Sequence, residues 1–262
     1  MIFLLPSSIK DTLRHKPVPE VRQIGLSSLR GSRQFSGHTM DPPACGKVFT
    51  MEQWEYDLRD DIFSAFMMNN KKAASFLLQD LIEKKGGVFY RYRPLDMAEI
   101  SSIRFDQMYL CRAVRFDNHT DGMLRFKSYV SCFTDRKNSL SMWNDYADAA
   151  QGLCMEYQYM DIQDFAEENG LFFSPVKYSD ETGDDTTEDR VATVMSMMHK
   201  PRIESDEYEW RLWKIDMHST DIGKIMSSIR PRRIYIGRNA DRDSYLYNEL
   251  REICEEKGIE LI

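Results

Sequence analysis

Apolar positions between residues 51 and 85 recur at helical spacing. Trp54, Leu58, Ile62 and Phe66 form one series, and Ala74, Leu77, Leu78 and Leu81 form a second. Such spacing puts each set on one face of a helix. "MNNKK" (68–72) interrupts the pattern, which predicts two helices or one kinked one. "KKGG" (84–87) closes the segment, with cations in the last turn and glycine beyond. The period then shortens. "VFYRYRP" (88–94) reads as an aromatic strand stopped by Pro94, and "LDMAEISSIRF" as a helical turn leading into a second short strand.

Further strands are expected at "RFKSYVSCF" (125–133), "LCMEYQY" (153–159) and "LFFSPVKYS" (171–179). Between them "SLSMWNDYADAAQG" (139–152) is a short helix opened by serine and closed by Gly152. "DIQDFAEENG" is a helical turn ending at glycine. The acid-rich "SDETGDDTTED" (179–189) reads as a solvated loop, with an amphipathic helix following at about 188–200. The chain ends as strand, helix and strand: "RRIYIG" (232–237), "DRDSYLYNELREICEEKG" (241–258) and "IELI". This mixed order predicts an α+β fold. It implies a single domain of mixed, mostly antiparallel strands with a helical N-terminal lead-in over 51–85 and a core over 86–262.

Residues 1–50 lack this periodicity. They hold seven Lys/Arg against three Asp/Glu, with serines and prolines, and read as a poorly ordered arm or a non-physiological extension; a targeting segment is the other reading. Over all 262 residues the formal charge is -7, which disfavours a dedicated nucleic-acid coat but leaves room for a local basic groove. No apolar run reaches bilayer length, so a cytoplasmic protein without a membrane partner is expected. The five cysteines (Cys45, Cys111, Cys132, Cys154 and Cys254) are scattered without C-x-x-C pairing or nearby histidine. Reduced thiols and no metal site follow.

Four stretches carry candidate chemistry. In "DEYEWRLWK" (206–214), strand alternation would put Glu207, Glu209, Arg211 and Trp213 on one face, with Tyr208, Trp210 and Leu212 opposite. Two such close carboxylates need a cation, and Arg211 is next along that face. Arg91 and Arg93 share a face of "YRYRP", where guanidinium forks suit phosphates or carboxylates. Trp143 and Tyr146 lie three residues apart on one helix, as core packing or as the wall of a pocket for a flat ring. "RPRRIYIGR" (230–238) holds four arginines that could meet a polyanion or the chain's own acids. Phosphate-binding glycine loops, the G-x-S-x-G elbow and H-E-x-x-H are absent.

The order "VFYRYRP", "SIRF", "SCFTD…SLSMWNDYADAAQGLCMEY", "PVKYSD", "YEWRL", "RRIYIG" resembles an uncharacterised bacterial domain-of-unknown-function family over about residues 86–262. That family carries an L-Y-[KR]-Y-R start, a W-x-x-Y-A helix leading to G-[FL]-C, and an E-W-R strand. Its F-N-D-P-F-[DE] loop is replaced here by "RFDNHTDG" (115–122). More distantly, the aromatic-basic first strand, the mid-chain aromatic and the late E-x-E resemble the three-part signature of ADP-ribosyltransferase folds.

That second resemblance implies NAD as substrate and no metal. Arg91 would hold the NAD ribose or phosphates, with Arg93 and Arg211 as further cofactor-binding cations. Tyr146, or Trp143, would wall the nicotinamide. Glu209 would stabilise the oxocarbenium-like transition state and Glu207 would assist an acceptor, either nucleic acid or protein. A toxin or a phage-defence component is the implied setting. The rival expectation is a non-catalytic binding or sensor module, with Glu209–Arg211–Arg91 as an ion-pair network and the arginines of 230–238 as an anion-binding surface. A third is a metal-dependent nuclease using Asp145, Asp148 and Glu156.

Overall fold

The computed structural model describes residues 51–113, 127–180 and 198–262. The expected arm, the "RFDNHTDG" loop, most of the acid-rich loop and all but the end of the helix expected at 188–200 lie outside the described residues. Helix α1 (Gln53–Met67) and helix α2 (Lys71–Lys85) are separated where the periodicity breaks, and Asn70 caps α2 by accepting from the Ala73 N–H at 3.2 Å. Gly86 closes α2 in the left-handed conformation.

Strand β1 (Val88–Arg93), helix α3 (Met97–Arg104), β2 (Gln107–Arg112) and β3 (Ser128–Thr134) follow. Next come α4 (Leu140–Asp145), β4 (Leu153–Gln158), α5 (Tyr159–Asn169), β5 (Phe172–Pro175) and β6 (Lys177–Tyr178). The expected strand over 171–179 is thus two, divided at Val176, whose N–H bonds the Glu209 carbonyl. Strand β7 (His199–Lys200) stands where the end of a helix was expected and pairs parallel with β6. A 3-10 helix (Arg202–Glu207), β8 (Glu209–Ile215), β9 (Gly223–Ser227), β10 (Arg233–Ile236), α6 (Tyr245–Lys257) and β11 (Glu260–Leu261) complete the chain.

The large sheet runs β11-β10-β4-β1-β3-β2-β9, with β8 and then β5 branching from β3. Only β10–β11 is parallel within it, so the fold is α+β with a mostly antiparallel sheet. Strand β3 is the hub. One edge pairs along its length with β8, while the other is shared between β1 at Thr134 and β2 at Tyr129–Val130.

One face of the sheet carries the main core. Phe89, Phe133, Met155, Trp210, Leu212 and Ile234 meet apolar residues of α1, α2, α3, α5 and α6 there. Phe89 packs edge-on to Trp210 and Phe173, with ring centroids 4.7 and 4.9 Å apart. The opposite face is polar around β10, β4, β1 and β8, and α4 covers part of it. Directly opposed residues project to the same side, so Arg233, Glu156, Tyr90, Thr134 and Glu209 form one row across five strands.

Helix α4 is cut short. Asp148, Ala149 and Ala150 all adopt positive φ, turning the chain back over the sheet before Gly152. A Cβ at Gly152 would stand 2.2 Å from the Arg93 carbonyl oxygen, so only glycine fits this crossing.

A buried ion cluster fastens α1 to the sheet. The Arg59 guanidinium is fully enclosed and pairs with Glu55 Oε1 (3.0 Å) and Asp135 Oδ2 (3.3 Å). It also donates to the carbonyls of Val176 (3.0 Å) and Glu209 (2.9 Å). Lys85 at the end of α2 adds bonds to Glu55 and Asp135, and the Trp210 indole N–H donates to Asp135. Removing one partner from such a cluster leaves the others charged and dry. Arg59→Met is therefore expected to cost ~3–5 kcal/mol in urea denaturation. Lys84→Met, which breaks a surface pair with Asp80 and a loose contact with the Trp54 ring, should shift the midpoint little. Equal effects of the two would refute this assignment.

Candidate active site

Strand β8 begins later than alternation alone suggests. Residues 202–207 coil into a 3-10 helix and Tyr208 turns left-handed at φ 48°, so regular pleating starts at Glu209. Glu207 is therefore not the next residue along the strand face. It returns to Glu209 by another route, through Lys200.

The Lys200 ammonium lies 2.5 Å from Glu207 Oε2, 3.1 Å from Glu209 Oε2 and 2.7 Å from Glu204 Oε2. Arg211 grips Glu209 from the other side, Nε to Oε1 at 2.7 Å and Nη2 to Oε2 at 3.2 Å. The Tyr146 hydroxyl, at the C-terminal cap of α4, donates to Glu207 Oε1 at 2.8 Å. Four expected residues, Tyr146, Glu207, Glu209 and Arg211, thus join in one continuous network.

Depth grades along this line. Tyr146 is 40% exposed, whereas Glu209 is 4% exposed and Arg211 8%. Burial alone would raise the Glu209 carboxyl, but Arg211 and Lys200 outweigh it and hold it at about 2. Glu207 moves the other way, raised by burial against the pull of Lys200 and pushed further by the charge of Glu209. Burial next to Glu207 also drives the Tyr146 phenol upward, so it stays a donor. The Cys132 thiol, cross-strand from Arg211, is pushed up by burial and by Glu209 and is no thiolate nucleophile.

The other expected residues lie elsewhere. Tyr90 opposes Thr134, which opposes Glu209, so Tyr90 shares the Glu209 face and Arg91 projects to the other. There Arg91 bonds Glu99 Oε1 (2.5 Å) on α3 and Ser131 Oγ (3.2 Å). Arg93 bonds the second Glu99 oxygen at 2.9 Å. A cleft in which Arg91 looks across at Glu209 is not formed, because the sheet stands between them. Trp143 turns from Tyr146 and packs edge-on to Tyr92, centroids 5.0 Å apart.

The arginines of 230–238 are largely spent inside the chain. Arg230 forks onto Asp106 and Arg232 onto Asp161, while Arg233 divides between Glu156 and Glu260. Arg230, Arg232 and Lys257 line an open groove of about 680 Å³ together with Asp106, Asp161 and Asp164, so its charges are mixed. Among the described residues no group of three or more His, Cys, Asp or Glu is placed to hold a metal ion. None of their helices is long and apolar enough to cross a membrane.

Sequence reading missed Lys200, whose role depends on a strand pairing that leaves no local signature. It also missed Arg59, although Glu55 and Arg59 stand at i,i+4 spacing on α1.

Residues 142–227 match the family model described as a protein of unknown function (DUF2971). The expected likeness to an uncharacterised family is thereby found. The matched stretch takes in the W-x-x-Y-A helix and the E-W-R strand but not β1. No curated protein and no solved structure matches the chain.

Because Glu209 is held below its unfolded value of 4.5, its ionised form stabilises the fold. That contribution is complete above about pH 4.5 and is lost as pH falls through 2. Glu207, raised, works in the opposite sense. Urea midpoints measured from pH 5 down to 2 should fall less steeply for Glu209→Gln than for the unmodified chain. Parallel slopes would remove Glu209 from the acid response.

Proposed function

We propose that the Tyr146–Glu207–Lys200–Glu209 line is the centre of an NAD-consuming glycosyl-transfer enzyme of the ADP-ribosyltransferase kind. The observation that carries it is the bridge: one ammonium binds two carboxylates whose surroundings drive them apart in acidity. Two acids so divided suit two roles, a permanently ionised stabiliser and a group able to exchange a proton. Glu209, ionised, would stabilise the positive charge that develops on the ribose as the nicotinamide bond breaks. Glu207, less acidic and nearer the surface, would take a proton from the attacking hydroxyl of an acceptor or from water. Tyr146 supplies an exposed aromatic face against the leaving ring.

This reading keeps the expected carboxylates and aromatic but gives no part to Arg91 or Arg93, which are committed to Glu99. A second reading has a specific observation in its favour. Glu209 is enclosed and already bonded by two cations, as in a structural ion network on a non-catalytic binding module. Toxin or phage-defence use would follow from the chemistry only if the acceptor is a macromolecule.

Purified protein incubated with NAD should release nicotinamide, with water as the default acceptor. Glu209→Gln should lower the rate by about 10²–10³-fold, the usual loss of a transition-state charge partner. Tyr146→Ala should raise KM more than it lowers kcat. No nicotinamide release, with or without added nucleic acid or cell lysate, from protein that is folded by circular dichroism would move the assignment to the binding module.

A further inference from the structure

Two strands from Glu209, on the same face of the sheet, stands a second cluster with no part in that chemistry. Tyr90, Tyr235 and Trp143 are each partly exposed and pack together against Tyr92, Met142, Ala147 and Cys154. Glu156 lies between Tyr90 and Arg233 in the cross-strand row. It is buried, accepting from the Tyr235 hydroxyl at 2.7 Å and from Arg233 Nη1 at 3.1 Å. Arg233 Nε goes to Glu260 at the rim, and its other terminal nitrogen takes part in neither bond. The exposed Lys137 holds its ammonium 3.8 Å from the Tyr235 ring centroid.

The chemistry of this patch is specific. Aromatic faces turned partly to solvent stack on planar heterocycles. Lys137 and the spare nitrogen of Arg233 are cationic donors of the kind that meet phosphate. A buried carboxylate fixed by its neighbours offers an acceptor for ribose hydroxyls or an exocyclic amine. The distance also fits. Tyr90 and Glu209 are separated by two strand spacings, ~10 Å. Between them Thr134 is closed over by the turn to Arg136, whose side chain is 42% exposed and whose guanidinium lies over Tyr208.

We infer that the Tyr90–Tyr235–Trp143 face is a nucleotide subsite, with the base on the aromatic rings and the phosphate on Lys137 and Arg233. The identification of that nucleotide with the adenylate half of NAD rests on the reading of Glu209 as an NAD-cleaving centre; the subsite itself does not. It supplies from another strand the phosphate contacts that Arg91 cannot make.

The test uses AMP, which has the base and phosphate but no nicotinamide bond, titrated calorimetrically into the full chain. AMP should bind, and Lys137→Ala and Tyr90→Leu should each weaken it at least tenfold, with Lys137→Ala raising KM for NAD in parallel. Lys137 makes no ion pair among the described residues, so that variant probes binding without unpairing a buried charge. AMP binding that depends on these residues, in a protein that releases no nicotinamide, would keep the subsite and overturn the transferase reading. Nicotinamide release that Lys137→Ala and Tyr90→Leu leave unchanged, or wild-type protein that fails to bind AMP, would overturn the subsite.

Discussion

A single guanidinium decides how this fold is assembled. Arg59 sits in the interior with no solvent contact, which is tolerable only because Glu55 and Asp135 neutralise it and two carbonyls take up its remaining donors. Those partners come from α1, from the end of β3, from the β5–β6 junction and from the first residue of β8. One guanidinium thus joins four segments of the chain at one point of charge. The cluster can form only in one registration of helix against sheet, because a shift of one residue would leave a charge buried and unpaired. Burial thus trades stability for a unique arrangement, and Glu209 inherits it: its backbone is fixed by Arg59 while its side chain projects to the opposite face.

That division between faces explains which parts of the site were legible in the sequence. The helices of 51–85 and the terminal strand–helix–strand declare themselves by periodicity, as do the strands at 88–93 and 153–158. Glu209 and Arg211 are neighbours on one strand face, and alternation places them correctly. Alternation also says that Arg91 and Arg93 share a face, but it cannot say which face. That depends on the register of β1 against β3, fixed at Tyr90 and Thr134 by the aromatic core beneath. Phe89 is needed inside, and Arg91, of the same parity, must go with it. Glu99 and Ser131 are the compensation for sending an arginine there.

Other failures have equally local causes. A left-handed residue at Tyr208 stops the strand, and nothing in its side chain announces that conformation. Trp143 and Tyr146 stand at helical spacing, but α4 ends at Asp145 with Tyr146 as its cap, and the two rings take different partners, Tyr92 and Glu207. Lys200 reaches Glu209 only because β7 pairs with β6, a contact between segments with no shared pattern. In each case the decisive placement is set by tertiary packing rather than by composition.

The arginines carry the sharpest lesson about function. A cluster such as "RPRRIYIGR" looks like a polyanion site when counted, yet Arg230, Arg232 and Arg233 each meet an acid of the same chain. A chain with more acids than bases can neutralise its cations internally, and the fold places the acids where they do so. What matters for ligand binding is which donors remain outside such pairs. On the Glu209 face Lys137 is exposed with its charge resting on an aromatic ring instead of a carboxylate. A cation left in that state forfeits only a weak interaction when a phosphate arrives, whereas Arg230 or Arg232 would have to surrender a two-bonded carboxylate. The face that joins Glu209 to Tyr235 can therefore take up an anion at Lys137 at less cost than Arg230 or Arg232 could, even though the arginine-rich stretch is the more conspicuous in the sequence.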